Sequence, residues 1–250
     1  MKLFLPQNVF THLLINHIPK EVEVNFKPSS LLSKELEFNT QAISLIPSLY
    51  LINHRTFFVS SKIGISFDGL LSNSYFYFIE NQKKFEKIFL HGDVSINEFI
   101  LTKILFDEKF SSNVELILDT KNEINPDHNY IICGDHNFTS TSFEKGISLA
   151  DEISDFLNLP YVNYLFVSQD KEQLIEFQNL FSDLDLKIEN SAESLLENLK
   201  LPQKSQNFIS ENLGSVYYEL TENEQDGFNE LIKLIYYHGI VDDMFDVKFI

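Results

Sequence analysis

The chain has 250 residues, 44% of them hydrophobic and 22% charged, with a formal net charge of −18. Length and apolar content suffice for a sizeable core, in one large domain or in two lobes. Acidity on this scale, dispersed without a long run of like charges, repels nucleic acid and anionic membrane surfaces, so neither is an expected partner.

Along the chain, MKLFLP reads as a strand and NVFTHLLINHI as the helix after it. EVEVNFK alternates with period two, as a half-buried strand does. PSSLLSKELEF opens at Pro28 and Ser29 and spaces Leu31, Leu32 and Leu36 as a helix. AISLI is a strand and PSLYLINH a short helix; IGISFDG and SYFYFIE are strands around a loop holding Asp68, Gly69, Ser72 and Asn73. KIFLH is a strand, followed by SINEFILTKILFDEKF, a helix with a serine N-cap. VELIL and NYIICGD are strands, the second apolar enough to lie parallel in a core. SLADEISDFLNLP is helical, with Asp151 and Glu152 near its start where the dipole favours them, and YVNYLFVS is a strong strand. From Lys171 onward the character is almost purely helical, in four segments. The last of these opens on a capping box at Thr221 and Glu224 and ends at Gly239.

The single cysteine, Cys133, follows Tyr130, Ile131 and Ile132 and reads as a small apolar strand residue; with no second cysteine, a reducing compartment suits the chain. The opening segment is broken by Pro6, Gln7, Asn8 and His12 and lacks a small-residue cleavage site. No stretch reaches the roughly 18 apolar residues of a membrane span, and a cytoplasmic location is expected. The 24 Phe and 10 Tyr read as compositional bias rather than as a binding device.

Nucleotide-binding glycine loops, zinc signatures and a nucleophile elbow do not occur, and the seven histidines are scattered, so neither metal nor cofactor is expected. What recurs is an apolar strand, a small polar corner, then a helix. It is found at Pro6-Gln7-Asn8, Pro28-Ser29, Pro47-Ser48, Asp93-Val94-Ser95 and Gly134-Asp135. Each serine reads equally as a plain N-cap, contributing about 1 kcal/mol to its helix. Together the five corners favour a cleft, because open α/β sheets bind ligands beyond their strands' carboxyl ends and helix-start amides hold carboxylates there.

In this order the segments LPQNVFTHLLI, AISLIPSLYLI, GLLSNSYFYF, YIICGDHNF, ADEISDFLNLPYVNYLFVS and ISENLGSVYYELTENEQDGFNELIKLIYYHGIVD resemble the chorismate dehydratase family of menaquinone biosynthesis by the futalosine route. The resemblance implies a type II periplasmic-binding-protein-like fold: two α/β lobes, two crossing strands at Ser74–Ile79 and Tyr161–Ser168, and a helical C-terminal third. Lobe one is expected at about 1–79 plus 164–250 and lobe two at about 80–163. It also implies loss of water from chorismate to an enolpyruvyl benzoate. Matching positions makes Asn8 the catalytic candidate, with Ser48, Ser74 and Asn97 lining the cleft and Gly134 and Asp135 at the lobe-two corner. Thr11, Ser29, Pro47, Ser72, Asn73 and Ser95 complete the candidate substrate-binding set. The chain departs from the family's pattern where Asn73 and Ser95 replace arginines, Ile96 a threonine, Asn97 a serine and Tyr50 an acid. Two functions follow as expectations: a chorismate-dehydratase-like lyase, or a re-tuned, non-catalytic binder of a small carboxylate metabolite, as a monomer or homodimer.

Overall fold

The structure, a computed structural model, describes residues 1–82, 84–121 and 123–250. The chain opens with β1 (Lys2–Leu5), α1 (Val9–Ile15), β2 (Glu23–Phe26), α2 (Leu32–Phe38), β3 (Ile43–Pro47) and the long β4 (Phe58–Phe67). It continues with β5 (Ser74–Tyr77), β6 (Lys87–Gly92), α3 (Ile96–Phe110), β7 (Glu115–Leu118), β8 (Tyr130–Cys133), the short α4 (His136–Thr139) and β9 (Ile147–Ser148). Then come α5 (Leu149–Leu157), β10 (Tyr161–Ser168), α6 (Lys171–Gln178), α7 (Leu184–Asn198), α8 (Gln203–Asn212), β11 (Val216–Glu219), α9 (Glu222–Tyr237) and β12 (Lys248–Phe249).

The strands form two sheets. The first has the order β11-β4-β10-β3-β1-β2, with β12 added alongside β4; the second has the order β7-β6-β8-β5-β9. All eight residues of β10 are buried, as expected of a strand that pairs on both edges, antiparallel to β3 and to β4. Its apolar run YVNYLFVS is broken only by Asn163 and the terminal Ser168, whose hydroxyl donates to the Ala42 carbonyl at 2.8 Å. β1, β2 and β3 are mutually parallel, so three successive strand-to-helix turns emerge at the same sheet end. In the second sheet β6 runs parallel to both β7 and β8, and the turns after β6 and β8 likewise share one end. α5 packs against both β5 and β10, and so lies between the sheets.

The α/β, two-lobed expectation holds, with three corrections. The strands at Ser74–Tyr77 and Tyr161–Ser168 each pair within one sheet only, so the chain crosses just ahead of them, through 68–73 and through 149–160. The C-terminal third is mainly helical but contributes β11 and β12 to the first sheet. VYYE and KF are too short to stand as strands alone and owe their conformation to the edge of β4. Finally, the segments after Pro28 and Pro47 begin as 3-10 turns, Ser29–Leu31 and Ser48–Ile52, the first leading into α2.

Candidate functional site

The first turn of any helix leaves backbone N–H groups without intrahelical partners. In the first lobe three such turns stand side by side, after β1, β2 and β3. Asn8 caps α1, its Oδ1 accepting from the Thr11 amide at 2.9 Å, while Thr11 Oγ1 accepts in return from the Asn8 amide at 3.1 Å. Pro28 and Pro47 are extended, each followed by a 3-10 turn whose first residue is a serine.

The second lobe meets these turns with side chains. Asp135, beyond β8, accepts from the Val9 amide at 2.7 Å. Asp93, beyond β6, accepts from the Ser29 amide at 2.9 Å and from Ser29 Oγ at 2.6 Å. Asn97, in the first turn of α3, accepts from the Leu49 amide at 3.0 Å. Local backbone geometry delivers the two acids. Gly92 has φ +92°, and a Cβ there would lie 2.1 Å from the Cys133 carbonyl oxygen, so only glycine lets β6 end against β8. The Gly134 amide donates to the Asn73 carbonyl at 2.7 Å, fixing the corner that carries Asp135.

Around these three contacts lies a buried polar network. Asn97 Nδ2 has acceptors in Tyr161 Oη at 3.0 Å and in the Asn163 carbonyl at 2.9 Å, with Ser48 Oγ at 3.3 Å. Tyr164 Oη lies 3.1 Å from Ser29 Oγ and accepts from Asn73 Nδ2 at 3.2 Å. Glu98 is 1% exposed; it accepts from Ser74 Oγ at 2.9 Å and from the Ser95 amide and hydroxyl at 2.9 and 2.6 Å. Burial raises the pKa of Glu98 and of Asp93, against the lowering effect of these serine donors. Burial pushes Asp135 up to about 6, the Val9 amide opposing and the charge of Asp93 adding to the rise. Tyr50, at the position where the resembling family has an acid, is half-buried; burial first, then Glu98 and Asp93, push its hydroxyl up.

The expected residues therefore divide. Asn8, Ser29, Ser48, Asn73, Asn97 and Asp135 converge where the lobes meet, with Pro47 ending β3 beside Tyr164. Ser74 and Ser95 hold Glu98. Thr11 is spent on its own cap, its hydroxyl donating toward the Pro6 carbonyl at 2.7 Å, and Ser72 accepts from the Ser74 and Ala150 amides at the first crossing. Gly134 shapes the corner rather than offering a side chain. Sequence reasoning did not single out Glu98, Tyr164 or Asp93 as site residues. Ser95 and Glu98 carry a capping-box spacing that pointed to the first; Asp93 stood in a recognised corner; Tyr164 was an apolar-strand residue with no such signal.

Chemically, the region offers backbone and hydroxyl donors and three carboxyls, and no Lys or Arg takes part in the contacts described. Asn8 is 2% exposed, and its Nδ2 has no partner, leaving one buried donor for an acceptor atom. No group of three metal-ligating side chains occurs among the described residues, and among them no helix is long and apolar enough to cross a membrane.

No family model matches the chain, and no curated protein matches it in sequence. Solved structures do match. An ABC transporter structure from Parabacteroides distasonis is 15% identical with a TM-score of 0.67, the match covering all of this chain and 98% of that one. Protein AF1704 from Archaeoglobus fulgidus is 12% identical with a TM-score of 0.62, covering 96% and 98%. The periplasmic aliphatic sulphonate binding protein SsuA from Escherichia coli is 11% identical with a TM-score of 0.60, covering 99% and 89%. At these identities the likeness is one of fold.

Proposed function

With a periplasmic-binding-protein-like fold as the premise, we propose that this protein is a small-molecule-binding protein whose interlobe site takes a carboxylate-bearing metabolite. One observation carries the reading: the Val9 and Ser29 turns of the first lobe each bind a carboxylate oxygen, supplied by Asp135 and Asp93. The same donors suit a carboxylate from solution, and the unpartnered Asn8 Nδ2 beside Val9 adds a further donor. The solved sulphonate-binding relative of the fold takes an anionic ligand, which is in keeping with this chemistry.

A lyase acting on chorismate is the second reading, and one observation favours it. Asp135, held at about 6 next to the α1 start, is poised for proton transfer near neutral pH. Against it stands the charge of the site. Chorismate carries two carboxylates, and a lyase that uses Asp135 must keep that acid beside them, with no Lys or Arg in the contacts described to offset the charge, whereas a ligand that is only bound can replace the acid. Binding without turnover is therefore the better-supported reading.

The test is incubation with chorismate, followed by mass spectrometry, alongside a thermal-shift screen of mono- and dicarboxylate metabolites. Stabilisation by one or more carboxylates, with chorismate left intact, is the expected result. Conversion of chorismate to a product one water lighter would replace the binding reading with the lyase reading. A screen in which no carboxylate stabilises the protein would overturn it.

A further inference from the structure

Besides apolar packing such as that of Phe10 on Phe138, the polar contacts between the lobes among the described residues include two contrasting groups. One group runs beside the crossings. Ser205 Oγ of α8 donates to the Phe138 carbonyl, Phe208 stacks on Phe143 with ring centroids 4.3 Å apart, and Lys204 pairs with Glu144 at 3.1 Å. Phe143, Glu144, Lys204 and Phe208 line a groove of about 620 Å³ that also includes Leu70 of the first crossing. At the second crossing, His238 at the end of α9 meets Glu108 of α3 at 2.9 Å. Asn97 reaches Tyr161 and Asn163, the first residues of β10 after that crossing, and also accepts from the Leu49 amide, so it spans both groups and, being uncharged, is satisfied where it stands.

The other group is different in kind. Asp93 and Asp135 project from adjacent corners of the second lobe, Asp93 Cβ lying 3.8 Å from the position a Cβ on Gly134 would occupy. Each carboxylate ends on a turn-start amide of the first lobe rather than on a lysine or arginine. The pair is costly as an ion arrangement: two like charges, partly desolvated, with only neutral donors facing them. That arrangement is unrewarding as a structural ion pair, but it reproduces what a carboxylate ligand bridging the lobes would do.

Resting on the binding reading above, we propose that Asp93 and Asp135 are built-in ligands: they close the cleft when it is empty, and an external carboxylate binds only by displacing them. The empty protein is accordingly closed, and the acids set the threshold concentration for its ligand. Specificity follows as well. A ligand able to replace both acceptors, at Val9 and at Ser29, displaces the clasp more readily than one that replaces a single acceptor.

The experiment is small-angle scattering of the ligand-free protein and three variants, each checked for native circular dichroism. A compact chain of this length has a radius of gyration of about 18 Å. The parent is expected at the closed value without ligand, and Asp93→Ala/Asp135→Ala about 1 Å above it, as the lobes part about crossings that remain intact. Asp93→Asn/Asp135→Asn keeps one acceptor oxygen for each turn amide, with Ser29 Oγ able to accept from the new side-chain NH2 at 93, and is expected to stay at the parent value. If the alanine variant does not fold, Ser29→Pro/Asp135→Ala removes the facing N–H and hydroxyl of one contact and the acid of the other; Pro28, at ψ 141°, already has the backbone a following proline requires. A parent already expanded without ligand would overturn the proposal, and so would a folded alanine or proline variant that scatters as the parent does. Malonate serves as the displacing probe: the alanine variant should be stabilised at concentrations at least about tenfold lower than the parent, and equal response would overturn displacement. Should no carboxylate bind either chain, the proposed function fails while ligand-free scattering still decides the clasp.

Discussion

Asp135 is a carboxyl whose folded environment favours its protonated form, and the sign of its contribution to stability follows from that. Its ordinary pKa lies near 4, and burial together with the charge of Asp93 lifts it to about 6 in the fold. Between about pH 4 and 6 the folded chain binds a proton that the unfolded chain does not, so this residue's contribution falls as pH rises through that window. Asp93 and Glu98 shift in the same direction, whereas His12, His17, His54 and His136 are pushed down by burial and act oppositely below about pH 6.5. Comparison with Asp135→Asn isolates the one group, because the variant keeps an acceptor for Val9 but cannot ionise. Equilibrium urea unfolding should find the variant gaining on the parent by about 1–3 kcal/mol between pH 4.5 and 7.5. A difference that does not change with pH would mean that Asp135 titrates normally.

Among the elements, α9 shows how a helix can be tuned for approach instead of propensity. Gly227 lies in its second turn, and a Cβ there would come within 2.2 Å of the Pro160 carbonyl oxygen, at the turn between α5 and β10. Alanine gains about 1 kcal/mol of helix propensity at such a position, but the carbonyl is backbone and has little room to yield. Gly227→Ala is predicted to destabilise by about 1–3 kcal/mol net, the range for overpacking, in contrast to the gain expected at an exposed helical glycine. Thermal and urea unfolding of the variant check this, and a raised midpoint would show that α9 can back away from the turn at no cost. Because that turn ends the second crossing, the variant also tests whether the crossing tolerates a shift of its packing helix.

Taken whole, the molecule carries −18 charges, and its favourable surface pairs are few and mostly half-exposed, such as Lys27 with Glu35 and Lys109 with Glu152. Exposed pairs of this kind contribute little, so net repulsion dominates the long-range electrostatics. Raising ionic strength from 0.02 to 0.5 M shortens the screening length from about 20 Å to about 4 Å. The unfolding midpoint should rise by several degrees over that range, and a falling midpoint would reveal ion pairs more valuable than their exposure suggests.

Much of this was legible in the residues. Apart from the short α4 and β9, strand and helix identities up to β10 followed from periodicity and capping, because buried strands such as AISLI and YVNYLFVS must be apolar on both faces and Ser95 and Thr221 announce helix starts. The polar corners at Asn8, Ser29, Ser48, Asp93 and Asp135 were visible as corners. β11 and β12 were not, since strands of two and four residues are held only by the edge of β4. Nor was the clasp, and the physical reason is distance along the chain. Asp93 lies 64 residues from Ser29 and Asp135 lies 126 from Val9, so nothing local marks either as a partner. Sequence alone determined which turns would offer free amides; only the packing of one lobe on the other decided that the protein's own carboxylates would fill them.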